Sequence, residues 1–412
     1  LYEEAGIDYP IGYVRWTERR NMEAFLELLS EKKVQVQPLI THRYPIAQAE
    51  QAYAHLLGSE DAGLAILLDY PAAATPAPPR YEVSTAIVPA GAVRIGFIGA
   101  GHFAQAHLLP HLKKDRDVAL LGVCNATGPS ARRVAERFGF RYCTTNAEEI
   151  LKDPNINTVF IATRHDLHAR LVALALERGK NVFVEKPLAI RHEDLARLAE
   201  AYRAHPQPVQ VGFNRRYTPT VVRLKEFFAG VAPLTIAYRI HAGALPANHW
   251  VYDPEQGGGR ILGEVCHFVD LACSLAKAPL TSLYATGPGG EGGSPSSRDT
   301  VQISMKFANG SLATISYISS GDPRTAKEYL EVFGAGQTAL LDNFDTLTLA
   351  RQGGRKRLRA ASKGHREELT HFLGCLREGK PLALAFADAL ASTEATFAIL
   401  ESLRQGQPIA LR

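Results

Sequence analysis

Between residues 93 and 213 five apolar runs recur (VRIGFIG, VALLGVC, TVFIAT, NVFVEK and PVQVGF), each followed by a helical pattern. Strands this uniformly apolar have no face to show water, so they must be covered on both sides. The intervening amphipathic helices supply that cover, and the alternation predicts a doubly wound parallel sheet of Rossmann type. The first run leads directly into Gly99-Ala100-Gly101-His102-Phe103-Ala104. A GxGxxA turn between a strand and a helix is the local chemistry of a dinucleotide site. Gly99 permits the tight turn, Gly101 lets the backbone approach a pyrophosphate, and Ala104 lets the helix pack closely on the strand, with the phosphates at the helix N terminus.

The second strand ends at Val123-Cys124-Asn125-Ala126-Thr127-Gly128. An NAD site usually places Asp or Glu here to bond the ribose 2′-hydroxyl. Asn125 does not repel a 2′-phosphate, and Thr127, Ser130, Arg132 and Arg133 follow within reach. The expected cofactor is therefore NAD or NADP, with NADP slightly favoured.

Beyond Pro219 the pattern changes. LTIAYRIHA, TVQISMKFA, SLATISYIS, EYLEVFGAG and ALLDN alternate apolar and polar residues, and Asn309-Gly310 marks a hairpin. An α+β domain with a large open, mostly antiparallel sheet is expected, closed by helices over His365 to Arg377 and Phe386 to Leu403. The alternation Val301, Ile303, Met305 gives that sheet an apolar face, and burial of this face in a homo-oligomer (dimer or tetramer) is expected. Upstream, Pro71 to Pro79 (PAAATPAPP) suits no regular element. The resulting division is a small α/β segment at 1–70, a Pro/Ala-rich linker at 71–92, a Rossmann domain at 93–213 and a substrate and oligomerisation domain at 214–412. Within the first segment the pattern predicts helix (Thr17 to Glu31), strand (Val34 to Ile40), helix (Ile46 to Leu57) and strand (Leu64 to Leu68). Met22, Phe25, Leu26, Leu28 and Leu29 lie close to one helical face.

Composition narrows the function classes. The excess of 46 basic over 42 acidic residues is too thin to argue for nucleic acid. The five cysteines contain no CxxC pair, so neither a zinc knuckle nor a disulfide framework is indicated, and free thiols in the cytoplasm are expected. No apolar run approaches the ~20 residues of a membrane span. Leu1-Tyr2-Glu3-Glu4 shows neither a basic n-region nor an initiator Met, so no signal peptide is read and the chain is expected to begin inside a longer frame.

Three stretches in order, GFIGAGHFA, IATRHDLHARLVALALERGKNVFVEKPLA and GGGRILGEVCHFVDL, resemble the glucose–fructose oxidoreductase / inositol dehydrogenase (Gfo/Idh/MocA) family. The resemblance runs from Val93 to the C terminus. It implies a nicotinamide-dependent oxidoreductase acting on a hydroxyl of a sugar, nucleotide sugar or cyclitol. Lys186 matches the lysine that hydrogen-bonds the reacting oxygen, and His267 the histidine used as general acid and base. Both roles are chemically apt: a neutral imidazole accepts a hydroxyl proton, and an ammonium stabilises charge developing on that oxygen. The family often carries Asp four residues before the histidine. Gly263 stands there, with Glu264 next as a candidate substitute, and Asp270 matches the aspartate after the histidine. Upstream, GYVRWTERRNMEAFLELLSEKKVQVQPLITHRYPIAQAEQAYAHL resembles the closing stretch of zinc-type medium-chain alcohol dehydrogenases, without that family's zinc or nucleotide residues.

On the cofactor side the candidates are Gly99, Gly101, His102, Phe103 and Ala104 of the turn, with Asn125, Thr127 and Arg132 beyond the second strand. Later strand ends add Thr163, Arg164, His168, Glu185 and Lys186. Arg215, Arg216 and Tyr217 are expected on the substrate side, where two guanidinium groups would suit a carboxylate or phosphate. His249, Trp250 and Tyr252 would offer rings to a sugar face, beside His267. No metal is expected: His165 and His168 lack a third ligand, and His42 lacks any. The rival readings are a glycosidase using NAD in transient oxidation–elimination, and a non-catalytic sugar- or cofactor-binding subunit.

Overall fold

The structure, a computed structural model, describes residues 8–58, 63–70, 80–84, 93–288, 299–322 and 324–411. The chain divides into two units, Leu1–Pro78 and Pro79–Arg412.

In the first unit, α1 (Glu18–Ser30) starts where the Thr17 hydroxyl accepts from Arg20 N–H. It is followed by β1 (Ile40–Pro45), α2 (Ala49–Gly58) and β2 (Ala65–Asp69), with β1 and β2 parallel. The strand expected over Val34 to Ile40 begins only at its end. Pro38, which has no N–H to give a ladder, instead sits in a 3₁₀ turn over Gln37–Leu39. No residue of α1 is buried.

The second unit carries two sheets. The first has seven strands: β3 (Tyr81–Glu82), β4 (Val93–Ile98), β5 (Val118–Cys124), β6 (Tyr142–Thr144), β7 (Thr158–Ile161), β8 (Asn181–Val184) and β9 (Val209–Val211). Their spatial order is β3-β6-β5-β4-β7-β8-β9, parallel except for β3, which runs antiparallel along β6. That edge strand lies inside the stretch read as a linker; 71–79 and 85–92 of the same stretch fall outside the described residues. Helices α3 (His102–His107), α4 (Leu109–Leu112), α5 (Gly128–Phe138), α6 (Ala147–Lys152), α7 (His168–Glu177) and α8 (His192–Ala204) connect these strands. On one face Phe97, Phe160 and Phe183 stack in sequence with centroids 5.6 and 4.9 Å apart. Such rings, each fully buried, contribute ~1.5–3 kcal/mol apiece.

After α9 (Pro219–Phe227) the chain builds β10 (Thr235–His241), α10 (Cys266–Ala276), β11 (Leu280–Thr286), β12 (Val301–Phe307), β13 (Leu312–Ile318), β14 (Glu328–Gly334), β15 (Gln337–Asp342), β16 (Thr346–Arg351) and β17 (Gly354–Arg359). It ends with α11 (His365–Glu378), α12 (Phe386–Gln405) and β18 (Ile409–Ala410). The nine strands lie in the order β17-β16-β15-β14-β10-β13-β12-β11-β18, antiparallel except β10 with β13. Val301, Ile303 and Met305 are 0, 1 and 2 % exposed, packed in one core with Phe268 of α10 and Ile399 of α12. This corrects the expectation that a second copy buries them: the chain's own helices do so, and the opposite face carries Gln302, Ser304 and Lys306. Among the described residues no helix is long and apolar enough to cross a membrane. The two closing helices return to the first sheet, where Leu369, Phe372 and Leu373 of α11 join the core around Phe97, and Phe386 of α12 joins the core on Val184.

Candidate active site

The glycine turn has the geometry its residues require. Gly99 has φ +87°, and a Cβ there would stand 2.7 Å from the Ala162 carbonyl. At Gly101 a Cβ would find only the Gly99 carbonyl oxygen, 4.0 Å away, so the protein leaves open the space a phosphate needs. Ala104 is wholly buried. These residues fit a dinucleotide. One detail differs from expectation: α3 has only six residues, so the turn offers local N–H groups rather than a long helix dipole. His102 and Phe103 are exposed beside it.

At the ribose end Asn125 donates to Ser130 Oγ (3.0 Å), and Thr127 occupies the N-cap position of α5 without a side-chain cap bond. Arg132 is committed elsewhere, with its Nε 2.8 Å from Glu136 and its guanidinium over the Tyr81 ring. Arg133 is exposed and has no partner among the described residues.

The ends of β7 and β8 bring the next candidates together. Thr163 caps its own turn by donating to the Arg164 carbonyl, and the Arg164 guanidinium covers the Trp250 ring at 4.2 Å. His165 meets the same ring edge-on at 4.7 Å. His168 is a correction: it is wholly buried, its Nδ1 2.7 Å from the Pro187 carbonyl and its Nε2 3.3 Å from that of Thr163. It fastens the β7 end to the β8 turn and has no surface for a cofactor. Burial holds its pKa down at about 4, so the ring is neutral. Glu185 is buried too, its carboxyl pushed up to about 7 by desolvation.

The reacting end is built on a distorted helix start. After Gly257–Gly259 the chain makes a π-helical turn, Ile261–Val265, and only then enters α10 with His267. Lys186 donates to the Gly263 carbonyl of that turn at 2.8 Å, so the lysine is fixed to the element that carries the histidine. At position 263, where the resemblance implies Asp, a Cβ would stand 2.8 Å from His165 Cε1. His267 is 9 % exposed, and its buried Nδ1 has no hydrogen-bond partner. Burial first, then the charges of Arg215 and Lys186, hold its pKa well below 6.5. The ring is therefore a neutral base at neutral pH.

Other expectations are corrected by the partners these groups have. Glu264 does not reach His267: Arg260 holds it by two bonds (3.0 and 3.2 Å) and the Tyr317 hydroxyl donates to it at 2.8 Å. Burial acts to raise its pKa, but Arg260 wins and holds it below the usual value. Asp270 accepts from Arg216 Nε at 2.6 Å, in a pair with both side chains almost fully buried. Arg215 makes two bonds of 2.7 Å to Glu328, which also accepts from Tyr238. Tyr217 donates to Gln210. A guanidinium taken out of water needs a carboxylate, so the residues expected to bind a substrate anion are structural. Tyr252 donates to Asp299 at 2.6 Å, and the His249 ring accepts from Val251 N–H, leaving Trp250 as the half-buried ring above His165.

The sequence reading missed Arg260, Asp299 and Tyr317, which with Glu264 form a polar wall, and His365, which stands against Phe103. Arg260 was readable from its i, i+4 spacing to Glu264; the others come from distant strands and helices. Among the described residues no group of three or more His, Cys, Asp or Glu is placed to hold a metal ion.

Known proteins share the fold of the second unit. A myo-inositol 2-dehydrogenase of Thermotoga maritima is 25% identical over 337 residues, 77% of this chain and 98% of the relative. A levoglucosan dehydrogenase of Pseudarthrobacter phenanthrenivorans is 27% identical over 283 residues, 59% and 71% of the two chains. Among solved structures, a levoglucosan dehydrogenase complex with NADH and levoglucosan shares the fold, with a TM-score of 0.69 at 22% identity over 77% of this chain and 99% of the other. The family model described as an oxidoreductase family with an NAD-binding Rossmann fold matches residues 93–213, and the model of the family's C-terminal domain matches 232–339. With both domain models matched in order over more than half its length, the chain belongs to the Gfo/Idh/MocA family of NAD-binding oxidoreductases.

Proposed function

We propose that this protein is an NAD(P)-dependent dehydrogenase that oxidises a secondary alcohol of a cyclitol or pyranose-type polyol, or reduces the corresponding ketone. The observation that carries the reading is the pairing of a fixed ammonium with an uncommitted, neutral imidazole: Lys186 Nζ on the Gly263 carbonyl, and His267 beyond it on α10. In this reading the bound nicotinamide supplies the hydride acceptor. Lys186 holds the substrate oxygen and stabilises its developing charge, while His267 takes the hydroxyl proton. The apolar burial around His267 excludes water and keeps the ring unprotonated.

At the ribose end we read tolerance of NADP as well as NAD. Asn125 brings no negative charge, and the uncommitted Arg133 is the group able to meet a 2′-phosphate. The segment 1–70 is read as the closing stretch of a medium-chain dehydrogenase, supported by the parallel pair β1–β2 with its flanking helices, and no activity is assigned to it.

The test is to follow NAD(P)H absorbance with myo-inositol, scyllo-inositol, levoglucosan and common pyranoses. Turnover with net cofactor reduction on one class is the expected result. Cleavage of a glycoside without net reduction would favour the oxidation–elimination cycle, and cofactor binding with no turnover on any polyol would sink the enzyme reading.

A further inference from the structure

His365 opens α11, far in sequence from every motif that points to the cofactor, yet its side chain lies at the glycine turn. Its ring stacks on His107 of α3 (centroids 4.9 Å, planes 20° apart) and meets the Phe103 ring edge-on at 5.7 Å. The residue before it, Gly364, passes against the carbonyl of Asn214, the neighbour of Arg215, whose charge acts on the His365 ring. The ring thus stands beside the glycine turn, at the start of a helix whose N-terminal glycine packs on the turn that carries Arg215.

The backbone that holds it there is tightly determined. Gly364 has φ +88°, and a Cβ on it would stand 2.1 Å from the Asn214 carbonyl oxygen, so only glycine lets the chain pass. Asn214 in turn donates to the Lys363 carbonyl at 2.5 Å, and Leu369 and Phe372 anchor the rest of α11 in the first core. Despite this fixed setting, neither ring nitrogen of His365 has a hydrogen-bond partner among the described residues, and neither is sealed from solvent. A half-buried imidazole held rigidly with both hydrogen-bonding positions uncommitted is poised to bind something.

Resting on the dinucleotide reading above, we propose that His365 is a cofactor-binding residue that hydrogen-bonds the nicotinamide-side ribose-phosphate of the dinucleotide and sets the ring's approach to His267. Burial first, then the neighbouring His107 and Arg215, keeps its pKa down at about 4. At neutral pH it therefore offers one N–H donor and one nitrogen acceptor, which suits a phosphate oxygen and a ribose hydroxyl.

The experiment is fluorescence titration of the full chain with NADH or NADPH, whichever binds wild type more tightly, and competition by AMP, which lacks the nicotinamide half. His365→Ala is expected to weaken the reduced dinucleotide about tenfold and to leave AMP within twofold. His365→Gln, which keeps one donor and one acceptor, should recover most of that loss. Unchanged dinucleotide affinity in His365→Ala, or equal losses of dinucleotide and AMP, would overturn the assignment, the second outcome indicating a packing role. Wild type that binds neither dinucleotide would overturn it together with the reading on which it rests.

Discussion

Two adjoining regions of the site treat their polar groups in opposite ways. Along the turn after β9, Arg215 and Arg216 are each matched to a buried carboxylate, Glu328 and Asp270, at 2.7 and 2.6 Å. Across from them Lys186 has a single backbone acceptor, and the buried Nδ1 of His267 has none. Arg215 and Glu328 satisfy each other and have little left to give a ligand, whereas the Arg216–Asp270 pair leaves one buried Asp270 oxygen, Oδ1, without a partner. On the proposed reading chemistry resides in Lys186 and His267, and adjacency to them in the chain does not confer it.

The contrast is broken most directly at His267. His267→Ala is expected to reduce kcat about 10²–10⁴-fold while the melting temperature stays within a few degrees, because the ring forms no hydrogen bond whose loss would unfold the chain. If the variant instead loses its fold, His267 belongs with the structural pairs and the distinction fails. The wild-type pH profile tests the same point. With its pKa held well below 6.5, the ring is deprotonated throughout pH 6–8, so no fall in kcat/KM assignable to His267 should occur between pH 7 and 6.

Glu328→Ala should do the reverse. Removing the carboxylate strands a guanidinium whose side chain is only 11% exposed, at a cost of about 3–5 kcal/mol, read as a lowered urea midpoint. The pair also has a defined pH signature. Burial acts to raise the Glu328 pKa, but Arg215 and the Tyr238 hydroxyl bring it down to about 2. Its stabilisation is thus full above the unfolded carboxylate value of about 4.3 and is lost as pH falls through that value towards 2. A wild type that keeps its stability unchanged from pH 6 to pH 3 would remove Glu328 from this account.

Glu185, the residue before Lys186, lies between the two regimes: buried like the pairs, but with no side-chain cation bonded to it. Desolvation raises its pKa to about 7, so the folded state holds a proton that the unfolded chain releases near 4.5. Stability contributed by this group is present below pH 4.5 and declines as pH rises to about 7. Glu185→Gln should remove that decline, a relative gain on the order of 3 kcal/mol between pH 4.5 and 8, measured by urea unfolding at both values. Equal pH dependence in variant and wild type would show that the carboxylate finds a cation.

How much of this the sequence discloses follows from chain distance. The glycine turn and the parallel strands are local, and Val93 to Ala104 reads as strand, turn and helix without help. Lys186 and His267 sit in motifs and are legible for the same reason. The commitment of Arg215 depends on a carboxylate 113 residues away, and that of Arg216 on one 54 residues away, so their spacing to each other says nothing. Periodicity has the same limit for apolar faces. Phe25 and Leu26 of α1 and Val301 and Ile303 of β12 show equally regular patterns, yet the first two are 47 and 62 % exposed and the second two 0 and 1 %. A pattern tells which side of an element is apolar and is silent on what covers it.

The smallest predicted effect carries the contrast to the ribose end, where two consecutive arginines differ as the two regions do. Arg132 is held by Glu136 and the Tyr81 ring, whereas Arg133 is exposed and unpartnered among the described residues. If commitment decides function, Arg133→Ala should lower the NADPH-to-NADH affinity ratio several-fold and leave NADH alone, because only the 2′-phosphate reaches that side chain. Arg132→Ala should shift the ratio less than twofold, since an exposed i, i+4 pair contributes only about 0.3–0.5 kcal/mol and its loss exposes no new charge to the ligand. Equal shifts from both variants would mean that the phosphate draws Arg132 away from Glu136, and that a surface pair, unlike the buried ones, remains available to a ligand.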